Sequence, residues 1–222
     1  MLPRAIVFDL DGTLVDSAPD LADALNSVLR SQGLREHALD DVKTMVGDGA
    51  KVLLQRGFAA NDRALSEQEA DGLLPAFLAD YRARATNKTR LMPGAGRLLR
   101  DLAEAGVGLG ICTNKPEDIT REILEDFAVA DLFGSIVGGD TTPAKKPDPQ
   151  PLHHALGELA CAPEEAVMVG DSPADAGAAR AAGTGLALVT FGYSQVPIAE
   201  LNPDRLIEHF DDFLSTLRPS AA

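Results

Sequence analysis

Basic residues are scarce in this chain. Its 222 residues include 20 Lys and Arg against 34 Asp and Glu, a formal net charge of −14 at neutral pH. So acidic a protein argues against nucleic acid as the main partner, because a phosphate backbone calls for basic surface. Cysteine is nearly absent too: Cys112 and Cys161 are the two, and Cys112 lies inside an apolar run. That excludes a disulfide framework, fits no metal-site spacing, and suggests reduced thiols in a cytoplasmic protein. No apolar run approaches membrane-spanning length, and Met1-Leu2-Pro3-Arg4 leads into the first strand with no signal-peptide pattern. Internal repeats and low-complexity tracts are lacking as well. What remains is 45% hydrophobic and 24% charged, enough for one large domain or a core with a smaller inserted one.

The chain is organised around its opening stretch. Ala5-Ile6-Val7-Phe8 reads as a buried strand that stops at two carboxylates, Asp9 and Asp11, with Gly12 allowing a tight turn behind them. Side chains two apart on an extended segment point the same way, so both acids can face one site. Carboxylates at the carboxyl end of a buried strand stand where open α/β sheets bind ligands. Two such charges repel, so they need a cation, a shared proton or solvation; a hard oxygen-preferring ion such as Mg²⁺ fits best. An ordinary acidic turn after a strand is the plainer alternative.

From residue 16 to about 88 the pattern is all helical. Ser17 is placed to cap a helix carrying Leu21, Ala24, Leu25, Val28 and Leu29; a second starts at Asp40 or Asp41. Val46-Gly47-Asp48-Gly49 breaks the next, which resumes to Gly57, and Ser66 opens another through Tyr81. A parallel crossover needs only about a dozen residues, so residues 16–89 read as an inserted helical cap and residues 1–15 and 90–222 as the core. Beyond Leu91-Met92-Pro93-Gly94 the texture alternates: strands at 107–112, 135–138, 166–169 and 186–190, helices at 95–105, 116–127, 149–159, 173–182 and 204–217. That alternation implies βαβ units, a doubly wound, Rossmann-like parallel sheet of the α/β class.

Three further polar clusters follow putative strand ends or lie in loops. Thr113-Asn114-Lys115 offers a hydroxyl for a phosphoryl oxygen and an amide for the substrate, or else simply opens the next helix. Lys145-Lys146-Pro147-Asp148-Pro149 holds a point charge beside a rigid proline, though a lysine pair in a loop is commonly just solvated. Gly170-Asp171-Ser172-Pro173-Ala174-Asp175 sets two more carboxylates at a strand end, where Asp175 could equally serve only the helix dipole.

Together with Asp9-Leu10-Asp11-Gly12-Thr13-Leu14-Val15-Asp16-Ser17, these strings occur in the order of the four motifs of the haloacid dehalogenase-like (HAD) superfamily. The resemblance runs from Ala5 to about Thr190 and implies a Mg²⁺-dependent phosphohydrolase in which Asp9 is the nucleophile and Asp11 the general acid and base. It implies a metal held by Asp9, Asp171 and the Asp11 carbonyl with support from Asp175, and phosphoryl contacts from Thr113 and Lys146. Thr13 and Asn114 join the expected substrate-binding set. In the insert, Gly47, Gly49, Lys51 and Arg56 resemble the cap loop of bacterial phosphoglycolate phosphatases, Arg56 being suited to a substrate carboxylate. The expected substrate is thus a small phosphorylated metabolite, 2-phosphoglycolate first, with no nucleic-acid or membrane partner and a monomer or homodimer as the working unit.

Rival readings remain at this level. Sugar-phosphate or pyrophosphate phosphatases share the architecture, and a β-phosphoglucomutase-like mutase shares all four motifs. Dehalogenases lack the second carboxylate, and phosphonate hydrolases usually carry Ala at the position of Asp11. A phospho-accepting signalling module also gathers acids, Thr and Lys around Mg²⁺, but without a helical insert.

Overall fold

The computed structural model describes residues 2–217. Ala5–Phe8 forms strand β1, every residue of it buried. After the turn at Gly12 come a two-residue strand β2 (Val15–Asp16) and four helices, α1 (Ala18–Ser31), α2 (Leu39–Lys43), α3 (Ala50–Ala59) and α4 (Glu67–Arg82). Strand β3 (Arg90–Leu91) then pairs antiparallel with β2. Helices and strands alternate from there: α5 (Ala95–Glu104), β4 (Gly108–Cys112), α6 (Glu117–Asp126), β5 (Ser135–Val137), α7 (Gln150–Glu158), β6 (Ala166–Gly170), α8 (Pro173–Ala182), β7 (Gly185–Val189), β8 (Arg205–Ile207) and α9 (Phe210–Leu217).

Six strands make one parallel sheet in the order β5-β4-β1-β6-β7-β8. Side chains alternate across β1, as the period of an extended chain requires. Ile6 and Phe8 join Leu109, Ile111, Val167 and Val169 in a core shared with α5, α6 and α9. Ala5 and Val7 join Met168, Leu186 and Leu188 in a second core shared with α7 and α8. The sheet is covered on both faces, the doubly wound arrangement that the alternating pattern predicts. The chain order reverses at β1: β4 and β5 lie to one side, β6 to β8 to the other, which makes the carboxyl end of β1 a topological switch point. Phe8 lies opposite both Ile111 and Val169, so the loops after β1, β4 and β6 leave from one edge.

The four helices between β2 and β3 pack on each other, α1 against α2, α3 and α4, and α3 against α4. They bury Leu25, Leu29, Leu54, Phe58 and Phe77 completely. Ser66 and Glu69 form a reciprocal capping box at the start of α4. Asp20, fully buried on α1, accepts hydrogen bonds from the Lys88 (2.9 Å) and Thr89 (2.7 Å) N–H groups and the Thr89 hydroxyl (2.8 Å). This clasp holds the returning chain beside the start of α1.

Three local expectations fail. Residues 204–217 are not one helix: Arg205–Ile207 extend the sheet beside β7, and α9 begins only at Phe210. Pairing with an available sheet edge outweighs the helical pattern there. The strands β2 and β3 are two residues each, too short to leave any periodicity in the sequence. Ser17 occupies the N-cap position of α1 but makes no capping bond: its backbone is helical (φ −99°, ψ −7°) rather than extended, and its hydroxyl donates to the Asp11 carboxylate.

Replacing Asp20 with Ala strands the buried Thr89 N–H and hydroxyl, at a cost of about 3 kcal/mol. Urea unfolding of Asp20→Ala will show a lowered midpoint; an unchanged one refutes the clasp.

Candidate active site

Three loops bring the chemistry to the carboxyl edge of the sheet. The first begins with Asp9, whose N–H donates to Val169 O at 2.8 Å and so continues the ladder one step past β1. Gly12 then takes φ +80°, and a side chain there would strike the Asp171 carboxylate and the Tyr193 ring. Only glycine allows the loops after β1 and β6 to approach so closely. From the second loop come Thr113 and Lys115; Asp171 follows β6 and Asp175 lies in the first turn of α8, all buried. Lys146, in the loop between β5 and α7, is 4% exposed and places its Nζ 2.9 Å from Asp9 and 2.6 Å from Asp175.

Asp9, Asp171 and Asp175 each offer an oxygen within 4.8 Å of the others. Asp175 spends both of its own. Oδ1 takes the Lys146 ammonium, and Oδ2 accepts from the N–H groups of Asp171 (3.1 Å) and Ser172 (3.0 Å) and the Ser172 hydroxyl (2.6 Å). It is therefore the anchor of the loop. Asp171 receives the Tyr193 N–H at 2.6 Å and the Thr13 hydroxyl at 3.3 Å. Asp9 Oδ1 differs: it is buried and near Lys146 in distance, yet accepts no well-directed hydrogen bond. An under-satisfied buried carboxylate oxygen beside a second carboxylate is what a hard divalent ion would complete, and the all-oxygen donor set suits Mg²⁺.

Electrostatics follow from burial. Loss of water raises the Asp9 carboxyl to about 6, and the neighbouring Asp175 and Asp11 charges add to the rise, while Lys146 opposes it. Burial likewise lifts Asp171 well above the carboxylate range, with Asp175 and Asp9 adding to it. Burial works against the charge on Lys146, but two carboxylates outweigh it and hold the ammonium above its ordinary value. One lysine thus keeps its proton between two acids, whereas Asp9 shares that lysine and also feels two like charges.

A cavity opens at this edge, lined by Asp9, Asp11, Thr113, Asn114 and Lys115 from the sheet side and by Leu21, Val46, Gly47, Gly49, Leu53, Phe77 and Tyr81 from the helices. Gly47 and Gly49 thus line the cavity. Arg56 does not line this cavity; it donates to Met45 O at 2.8 Å and pairs with Asp48, bordering a second, wider opening shared with Asp11 and Asp171. Lys51 is drawn away, its Nζ 2.5 Å from Glu67 and 2.8 Å from Asp71 on α4. Asn114 is a brace: its amide donates to Gly47 O (3.2 Å) and Lys146 O (3.1 Å), and its oxygen accepts from Lys146 N (3.0 Å). Thr13 is fully buried and turned onto Asp171, away from the cavity.

Three residues emerge that the sequence reading assigned no role. Lys115 Nζ lies 3.0 Å from Asp11 and 2.7 Å from the Tyr81 hydroxyl, over the Tyr81 ring at 4.4 Å. Its charge is held because Asp11 and Tyr81 outweigh the cost of burial. Tyr81 looked like one more apolar position on α4. Tyr193 reaches from its main-chain bond with Asp171 to donate its hydroxyl to Asp16 at 2.5 Å, accepting from Ala18 N at 3.1 Å. Lys115 was legible as the neighbour of Thr113 and Asn114; nothing local marks Tyr193.

Comparison with known proteins adds the following. The family profile described as haloacid dehalogenase-like hydrolase matches residues 6–189. A phosphoglycolate phosphatase from Rhodospirillum rubrum is 43% identical over 218 residues, 96% of this chain and 89% of that protein. One from Caulobacter vibrioides is 42% identical over 207 residues, 93% and 87% respectively. Among solved structures, a predicted phosphoglycolate phosphatase from Haemophilus somnus superposes with a TM-score of 0.90 at 35% identity, covering 97% of this chain and 98% of its own.

Because Asp9 holds its proton to about pH 6 when folded and releases it near pH 4 when unfolded, it stabilises the fold below about pH 4. That contribution is lost as pH rises through 6. In chelator, the urea midpoint of Asp9→Asn will therefore fall less than that of the parent chain between pH 4.5 and 7; parallel curves refute the assignment.

Proposed function

Since the chain belongs to the haloacid dehalogenase-like hydrolases and hydrolyses phosphate esters, we propose that it converts 2-phosphoglycolate to glycolate and phosphate with Mg²⁺, through a phosphorylated Asp9. The observation that carries this reading is the buried Asp9 at the end of β1, lining the cavity, 2.9 Å from Lys146 and within 4.8 Å of carboxylate oxygens of Asp171 and Asp175. The substrate follows from its relatives: the phosphatases from Rhodospirillum rubrum and Caulobacter vibrioides carry phosphoglycolate in their names.

An Asp9 oxygen attacks phosphorus in line as the bond from phosphorus to the glycolate oxygen breaks. Asp11 gives its proton to that leaving oxygen, then takes one from the water that attacks the aspartyl-phosphate. The water's oxygen leaves on phosphate, and Asp9 is regenerated. Lys146 and the Thr113 hydroxyl hold phosphoryl oxygens, Lys146 also offsetting the charge of Asp9. Asp9, Asp171 and the Asp11 carbonyl would hold Mg²⁺, which supplies charge screening between nucleophile and phosphate. Asp175 supports the site by fixing Lys146 and the Asp171 loop.

The four helices serve as the cap, with core residues 2–15 and 90–217 beneath and residues 16–89 above. The cavity is small, about 30 Å³, and adjoins a wider opening of about 360 Å³ that Asp11, Val46 and Gly47 also line. The cap opens to admit substrate and closes to exclude water during the reaction. Such enclosure limits substrates to small diffusible esters.

Asp9→Asn will lower turnover by at least about 10⁴-fold, as loss of a nucleophile does elsewhere, with far-UV circular dichroism unchanged. Retained turnover removes Asp9 from this role. A strong chelator will abolish phosphate release and added Mg²⁺ will restore it; full activity in chelator rules out the metal. In a panel of small phosphate esters 2-phosphoglycolate will rank first, and a low rank retires it. Transfer of phosphate to a sugar hydroxyl in place of water would identify a mutase.

A further inference from the structure

The predicted cap cations, Lys51 and Arg56, leave the main cavity without their charge: Lys51 is consumed by Glu67 and Asp71, and Arg56 by Asp48 and Met45 O. Yet a substrate bearing a second anion must meet a cation somewhere in that cavity. Its lining includes two carboxylates, Asp9 and Asp11, a largely apolar wall with Leu21, Val46, Leu53, Phe77 and Leu78, and one positively charged side chain, Lys115. An anion pressed among those groups without a positive partner would be strongly disfavoured, and an apolar wall makes each charge count for more.

Lys115 is built for such a partner. It is 5% exposed, on the loop that also carries Thr113. An ammonium has three protons. One is directed to the Tyr81 hydroxyl at 2.7 Å and another to Asp11 at 3.0 Å, which leaves a third for a ligand. The Tyr81 ring under the ammonium, 4.4 Å from Nζ, steadies it further without using a proton. Tyr81 belongs to α4, so this cation is fixed from the helical side and the sheet side at once. Lys146, in contrast, is committed to Asp9 and Asp175 and serves the phosphoryl end.

We propose that Lys115, steadied by Tyr81, receives the carboxylate of the substrate and so selects phosphate esters that carry a second anionic group close to the phosphate. This rests on the hydrolase reading given above and adds the residue and the chemical class to it. Lys115 is then a specificity determinant as well as a neighbour of Asp11.

The test compares two esters of similar size, 2-phosphoglycolate and propyl phosphate, which replaces the carboxylate by an ethyl group. The readout is the ratio of their kcat/KM values. Lys115→Met will slow both, since Asp11 loses its partner, but will lower the ratio by a further 10- to 100-fold, about the worth of a charge-assisted hydrogen bond. Lys115→Arg will keep more of the ratio than Lys115→Met. Tyr81→Phe, which keeps the ring and loses only the hydroxyl, will lower the ratio about threefold or more. A parallel fall for both esters in Lys115→Met, or an unchanged ratio, overturns the proposal. Should Lys115→Met not fold, an unchanged ratio in Tyr81→Phe overturns it equally. A parent enzyme with no preference for the carboxylated ester overturns it while leaving the hydrolase reading intact; a parent inactive on every phosphate ester sinks that reading itself.

Discussion

Lys146 sets one positive charge between Asp9 and Asp175 in the interior, and the carboxyl edge of the sheet is arranged around that contact. Three buried carboxylates within 4.8 Å of one another would repel strongly enough to push the loops apart. Lys146 offsets part of the repulsion, main-chain donors from Asp171 and Ser172 satisfy Asp175, and Tyr193 and Thr13 satisfy Asp171. Asp9 alone is left with an undirected oxygen. The arrangement is stable enough to fold and incomplete enough to react, with the incompleteness concentrated on one oxygen of one residue.

The helices above are tied to the core by Arg82 with Asp118 and Glu122 and by Thr86 with Asp126 on α6, and at the site itself by three further contacts. Asn114 reaches the carbonyl of Gly47, Lys115 reaches Tyr81, and Tyr193 reaches Asp16 and Ala18 where the helical segment begins. Each of these three starts from a loop that also carries or holds a reacting group. These hydrogen bonds act beside a continuous apolar core that runs from Leu25, Phe58 and Phe77 of the helices to Ile6, Phe8 and Ile111 of the sheet.

Most of the core was legible because its signals are local and redundant. A buried strand ending in Asp9 and Asp11, the Pro173 and Gly183 that start and stop α8, and the Ser66 and Glu69 capping box each announce themselves within a few residues. The four acids and Lys146 were legible for the same reason: each lies at a strand end or beside a rigid turn. What could not be read were choices between partners distant in sequence. Lys51 and Arg56 carry the right charge for an anion, but Glu67, Asp71 and Asp48 claim them. Ser17 sits at a helix start, yet its hydroxyl turns to Asp11 rather than to the helix. Asn114 lines the cavity, and its bridge between Lys146 and Gly47 was equally out of reach of the sequence. Such competitions are decided by tertiary neighbours that no spacing rule encodes, and β8 was lost to the same cause.

The β2–β3 ribbon and the Asp20 clasp bring both ends of the helical segment to one point on the rim of the sheet. Everything between Asp16 and Arg90 is therefore a detour that begins and finishes at one doorway. A detour of that kind can be lengthened, shortened or exchanged for a different roof while the threading of the six parallel strands stays untouched. The sheet edge that carries the buried acids and the helices above it are thus free to vary separately, because the whole roof is one contiguous stretch of chain.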